Sequence, residues 1–283
     1  MHTTTKTKNK INKIMKRTIF LLIALVAIGQ WSMLKAQSVT VYEKETPVGF
    51  NVSDIDSIIF SPEKANNPKY QTLDGKRIVD AHWLSLGTSI TWYNDNVSSA
   101  FTKGYQTRVL EQLAFKQFTN KGISGATINS TVGQIIKADY YTIEHGVNDW
   151  GHSTPVGTID DYINNTKNGT FAAYYREIID AIYKINPKAM IILCTPRKAY
   201  GFGTYLPAHW YDEFNGIYLK DYADIIKEIA EYESLPVADW FNLCGNQTNL
   251  ARLSIDQALH PNDDGYQLMA NVLIQAFEQV LVH

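Results

Sequence analysis

The chain has 283 residues, of which 45% are hydrophobic and 12% aromatic, enough for one large core with or without an appendage. Residues 1–36 carry seven of the 26 Lys/Arg and no Asp or Glu, so the rest holds 19 basic against 28 acidic residues, a net charge near −9. A surface of that sign excludes non-specific nucleic-acid binding. Two cysteines, Cys194 and Cys244, permit one disulfide without requiring it, and no Cys/His cluster has zinc spacing.

The first 37 residues read as a secretory signal. Basic residues up to Arg17 precede the apolar run Ile19 to Ile28, and Ala36 offers a small residue for cleavage. The run is too short for a confident membrane span. The expectation is an exported protein, periplasmic or secreted, with no stable membrane span after cleavage.

Residues 38–80 read as a small β appendage and linker. Val39/Val41 and Phe50/Val52 alternate, and Asp74-Gly75 between Tyr70–Leu73 and Lys76–Val79 is a hairpin signal. From 81 onward strand-like and helix-like segments alternate. Trp83–Leu86 is the first strand, and Tyr105, Val109 and Leu113 then recur at helical spacing. Lys116–Asn120 is a second strand, followed by a helix carrying Ile128, Val132 and Ile135/Ile136. Tyr140–Glu144 is a third strand, and a long helix from Phe171 ends near Asn186-Pro187. Met190–Cys194 is a fourth strand, with a helix carrying Phe214, Ile217/Tyr218, Ile225 and Ile229 after it. Pro236–Asp239 is the fifth strand, and Leu268/Met269 to Val280 mark the last helix. This alternation predicts an α/β domain over residues 81–283, a parallel sheet with helices on both faces.

Each group suited to chemistry falls at or just past a strand end, where such sheets place their ligands. Gly87-Thr88-Ser89 follows the first strand, and a glycine turn can present the serine hydroxyl rigidly. Ser124-Gly125 follows the second strand, with Gly125 expected to open the next helix and to leave its N–H free. Gly146-Val147-Asn148-Asp149 follows the third, offering the Asn148 amide as a donor and Asp149 as a loop brace. Asp256-Gln257-Ala258-Leu259-His260-Pro261 precedes the last helix and pairs an imidazole with a carboxylate.

In order and placement these four blocks resemble the SGNH (GDSL-type) hydrolases, from about Trp83 to the C-terminus. The resemblance implies a flavodoxin-like three-layer α/β/α fold with a five-stranded parallel sheet. It assigns Ser89 as nucleophile and His260 as base. The oxyanion donors it implies are the Ser89 N–H, the Gly125 N–H and the Asn148 side chain. No metal or organic cofactor is then expected. Two departures stand out. Thr88 occupies the position where the family usually has Asp. Gln257 occupies the position three before the histidine where the family usually has Asp, and Asp256 lies four before it. Asp256 is the first candidate to orient His260, with Asp239 and Asp263 as alternatives.

Aromatic residues near these blocks, Trp92, Trp150, Tyr205 and Trp210, are candidate substrate-binding walls. The expectation is a serine esterase acting on acetyl or other short acyl esters, with carbohydrate as the preferred carrier. A lysophospholipase or lipase-type esterase, or a non-catalytic glycan-binding protein keeping the fold, are the alternatives. The oligomeric state is not legible.

Overall fold

A computed structural model describes residues 38–43, 46–51, 78–96, 101–246, 248–256 and 258–280. The signal-like leader, the linker and the Asp74-Gly75 hairpin signal lie outside the described residues. The chain divides into two compact units, residues 1–61 and 62–283. In the first, strands β1 (Ser38–Glu43) and β2 (Thr46–Asn51) form an antiparallel hairpin, with Val39 opposite Phe50 and Val41 opposite Val48.

The second unit is built on a five-stranded parallel sheet. Its strands are β3 (His82–Gly87), β4 (Gln117–Gly122), β5 (Tyr140–Glu144), β6 (Met190–Cys194) and β7 (Val237–Ala238), in spatial order β4-β3-β5-β6-β7. After β3 the chain crosses to one side for β4 and then to the other for β5. The C-terminal ends of β3, β4 and β5 therefore border the point where strand order reverses, the place open α/β sheets use for binding.

Side-chain alternation along the strands explains the two layers of helix. Leu84, Leu86, Tyr141, Ile143, Ile191 and Leu193 face one side. They meet Phe171, Tyr175, Ile178 and Ile182 of helix α5 (Phe171–Ile185) and Tyr222, Ile226 and Ile229 of α6 (Leu219–Glu233). Trp83, Tyr140, Ile192 and Cys194 face the other side. They meet Tyr105, Val109 and Leu113 of α2 (Tyr105–Leu113) and Met269, Leu273 and Phe277 of α8 (Asp263–Val280). Each fully buried large side chain of this kind contributes roughly 1.5–3 kcal/mol. Short helices α1 (Ser89–Trp92), α3 (Val147–Gly151), α4 (Ile159–Ile163) and α7 (Trp240–Leu243) complete the unit.

Three local expectations are corrected. Residues 128–134 form 3₁₀ turns, not an α-helix. Gly125 does not open that helix; it sits in a turn three residues earlier, at φ +76°. Phe214 and Ile217 do not lie in α6; they pair with each other across a tight turn, and the helix starts at Leu219. Cys194 and Cys244 are both buried free thiols, not bridged to each other.

Candidate active site

The Gly87–Ser89 turn is shaped by space. Gly87 lacks a positive φ, so the turn does not demand its backbone freedom. A Cβ there would fall 2.3 Å from Thr91 Oγ1 and 2.8 Å from Glu144 Oε2, so only glycine fits. Thr88 follows in extended conformation, and its hydroxyl accepts the Ile90 N–H at 3.3 Å, capping α1. Ser89 is thereby the first residue of a helix whose next turn is set by Trp92 N–H to Thr88 carbonyl, 2.9 Å.

Ser89 Oγ lies 3.0 Å from His260 Nε2. The other ring nitrogen, Nδ1, bonds to Asp256 Oδ2. Asp256 Oδ1 also accepts the His260 backbone N–H at 2.6 Å. The four-residue offset works because 256–260 closes a turn. The Leu259 N–H reaches the Asp256 carbonyl at 3.1 Å, and the Ile255 N–H reaches the His260 carbonyl at 2.9 Å. With the carboxylate on Nδ1, that nitrogen carries the N–H, and Nε2 is left to accept from the serine hydroxyl. The two alternatives lie elsewhere. Asp239 caps α7 and pairs with Lys227 at 3.0 Å. Asp263 accepts from the Thr102 backbone at 3.0 Å and pairs with Arg108.

The donors gather at the ends of β4 and β5. Asn148 stands in α3 and is 5% exposed. Its Nδ2 donates to the Ala126 carbonyl at 2.9 Å, and its Oδ1 accepts from the Tyr205 hydroxyl at 3.2 Å. Those partners fix which way the amide points, and leave its second N–H unspent. Open space surrounds the position where a Gly125 Cβ would stand. Asp149 is fully buried and braces the two donor loops. Its Oδ1 accepts from Ile128 N at 3.0 Å and its Oδ2 from Gly146 N at 3.2 Å. Burial pushes its carboxyl up to about 7. His145 is a packed core histidine with Nε2 2.7 Å from Thr131 Oγ1, and burial holds its imidazole down to about 3.

The aromatic candidates divide. Trp150 is fully buried, with its indole N–H on the Ile217 carbonyl at 3.1 Å, so it is core rather than pocket wall. Tyr205 reaches the site through Asn148, its ring lying over Gly151, where a Cβ would fall 2.5 Å from it. Trp210 is occupied by Lys198, 4.7 Å from its ring centroid, and by Phe241. Trp92 is half-buried against Tyr93. The rings that flank the imidazole are Tyr93, at 5.1 Å, and the exposed Phe202, at 6.0 Å. Neither is separable by sequence from its aromatic neighbours.

Two buried charged residues at the site were not anticipated. Glu144 lies under the Gly87–Ser89 turn, and a lone acid ending an apolar strand is its only sequence signal. Arg197 is 1% exposed. Its Nη2 donates to Ser254 Oγ at 2.5 Å and to the Ala258 carbonyl at 3.1 Å, on the loop that carries Asp256 and His260.

A hydroxyl, an imidazole and a carboxylate in series beside unspent amide donors are suited to attack on an acyl carbonyl. On a five-stranded parallel sheet with helices on both faces, this is the architecture of an SGNH hydrolase-like protein. The GDSL-like lipase/acylhydrolase family model matches residues 85–268, and the chain belongs to that family. Among solved structures, one described as that of a possible lipase from Chitinophaga pinensis is 28% identical, with a TM-score of 0.63 over 72% of this chain and 100% of that one. A protein from Lactobacillus plantarum is 23% identical, with a TM-score of 0.58 over 70% of this chain and 96% of that one, and shares the fold. No curated protein matches the chain.

Proposed function

We propose that this chain is an exported serine esterase that hydrolyses acetyl or other short acyl esters, with carbohydrate as the acyl carrier. The observation that carries the reaction class is the 3.0 Å contact of Ser89 Oγ with His260 Nε2, backed by Asp256 on the far ring nitrogen. In this reading Ser89 Oγ attacks the ester carbonyl while His260 takes its proton. The oxyanion is held by the Ser89 N–H, the Gly125 N–H and the second N–H of Asn148. His260 then protonates the departing alcohol, and a water activated by the same imidazole releases the acid. Export rests on the leader-like residues 1–37. The carbohydrate carrier rests on the aromatic rings beside the imidazole, of which Phe202 stands exposed.

A lipase-type reading is favoured by the likeness to the Chitinophaga pinensis structure. A screen of acetylated sugars against lysophospholipids and longer-chain esters separates the two. Preference for acetylated sugars supports the first reading, and preference for long acyl chains replaces it with the second. A wild-type chain that hydrolyses none of them favours a glycan-binding protein instead. Among the described residues no helix is long and apolar enough to cross a membrane.

A further inference from the structure

A polar stripe runs along the inner face of the sheet toward the serine. Trp83 Nε1 donates to Thr142 Oγ1 at 3.0 Å, Thr142 to Ser85 Oγ at 3.2 Å, and Ser85 meets the Tyr105 hydroxyl at 3.0 Å. Tyr105 then meets Thr91 Oγ1 at 2.9 Å. The stripe ends on Glu144, the last residue of β5, which is 1% exposed. Glu144 pairs in register with Gly87, and its carboxylate fills the space that a side chain at 87 would need.

One oxygen, Oε2, takes three hydrogen bonds from the nucleophile turn. They come from the Thr88 backbone N–H at 2.9 Å, the Thr88 hydroxyl at 2.8 Å and the Thr91 hydroxyl at 3.1 Å. The other oxygen, Oε1, has no partner among the described residues. Thr88 spends its hydroxyl proton on Glu144, so its oxygen lone pair is turned toward the Ile90 N–H that it caps. The carboxylate thus fixes the rotamer and the peptide plane immediately before Ser89.

We propose that Glu144 is a positioning residue for the nucleophile: its charged carboxylate holds Thr88 and Thr91 so that the Ser89 hydroxyl and N–H keep their reactive placement. This rests on the reading of Ser89 as nucleophile. It also gives Thr88 a reason to stand beside the serine, since a carboxylate there would face Glu144 and repel it.

The groups around Glu144 are the Tyr105 phenol from α2, Asp149 from α3, Tyr175 from α5, the Cys194 thiol at the end of β6 and Tyr266 from α8. The adjacent His145 is held neutral by burial. Burial pushes the Glu144 carboxyl up to about 7, against the pull of the three donors. Protonation of Glu144 then weakens the brace on the acid side of neutrality.

The test uses the full chain with an activated acetyl ester, following kcat and KM from pH 5 to 9 for wild type, Glu144→Gln, Thr88→Val and Ser89→Ala. Glu144→Gln keeps the shape and loses the charge. It should lower kcat about tenfold at pH 8 with KM within twofold, remove the roughly tenfold step that Glu144 protonation adds to the acid side of the log kcat profile, and leave Tm no lower at pH 8. Thr88→Val removes one donor and should give the same split at smaller amplitude. Wild-type kcat and an unchanged acid limb in Glu144→Gln, beside an inactive Ser89→Ala, overturn this proposal alone. A kcat loss that only follows a fall in Tm overturns it too. An active Ser89→Ala removes the nucleophile and this proposal with it.

Discussion

Asp256 holds His260 at two points, one carboxylate oxygen on the ring Nδ1 and the other on the backbone N–H at 2.6 Å. The same side chain therefore sets both the tautomer of the imidazole and the turn that delivers it. Asp256→Ala should lower kcat by about 10⁴, the order seen when an orienting carboxylate is lost. Asp239→Ala should leave kcat near wild type and reduce stability, since Asp239 caps α7 and pairs with Lys227. Steady-state kinetics of the two variants, each checked by thermal melting, decides between them.

Removing the Asn148 amide should cost turnover more than binding. Asn148→Ala is expected to lower kcat by roughly 10²–10³ with KM changed little. Gly125→Ala meets no neighbour, so its cost is conformational, about 1–2 kcal/mol for an alanine at φ +76°. Separate kcat and KM on one short ester read the first, and thermal melting reads the second.

Arg197 ties the loop that carries both partners of the serine. Arg197→Met removes its bonds to Ser254 and to the Ala258 carbonyl. The expected loss is about 3 kcal/mol of stability, the upper range for bonds to a charged group. Urea unfolding gives the number, and an unchanged midpoint would remove Arg197 from this role.

Stability should also report on Glu144. Its carboxyl is raised from 4.5 to about 7 in the fold, so the native state binds more protons than the unfolded state between those values. Its contribution is fully present below pH 4.5 and is lost as pH rises to 7. Glu144→Gln removes that loss, so the variant should gain on wild type by about 3 kcal/mol between pH 4.5 and 8. His145 works in the opposite direction. Its imidazole is held down to about 3, so stability falls as pH drops below 6.5. Melts of the variant and wild type at matched pH isolate the Glu144 share.

Much of the larger unit was legible because its strands are short apolar runs with clear breaks. Tyr140–Glu144 and Met190–Cys194 were read to the residue. The misread segments owe their shape to tertiary contacts. Residues 128–134 carry helical spacing, yet their entry is held by Asp149 Oδ1 on Ile128 N, and the run forms 3₁₀ turns. Trp150 looked like a pocket wall from its neighbours in sequence, but α3 turns its indole inward to Ile217. Glu144 and Arg197 were missed for a related reason. A charge at the end of an apolar strand, or after it, shows its partners only when the sheet brings distant loops to it. The contact of Ser89, His260 and Asp256 was legible because their residue types are few and each sits at a strand end or turn.

The central claim is that Ser89 is a hydroxyl activated by His260. The most direct measurement is reaction of the folded wild-type chain with a serine-directed fluorophosphonate, followed by mapping of the adduct by mass spectrometry. The account predicts stoichiometric labelling at Ser89, loss of esterase activity in step with it, and no labelling in His260→Ala. A chain that hydrolyses short esters while Ser89 stays unlabelled, or one that labels equally well without His260, would contradict it.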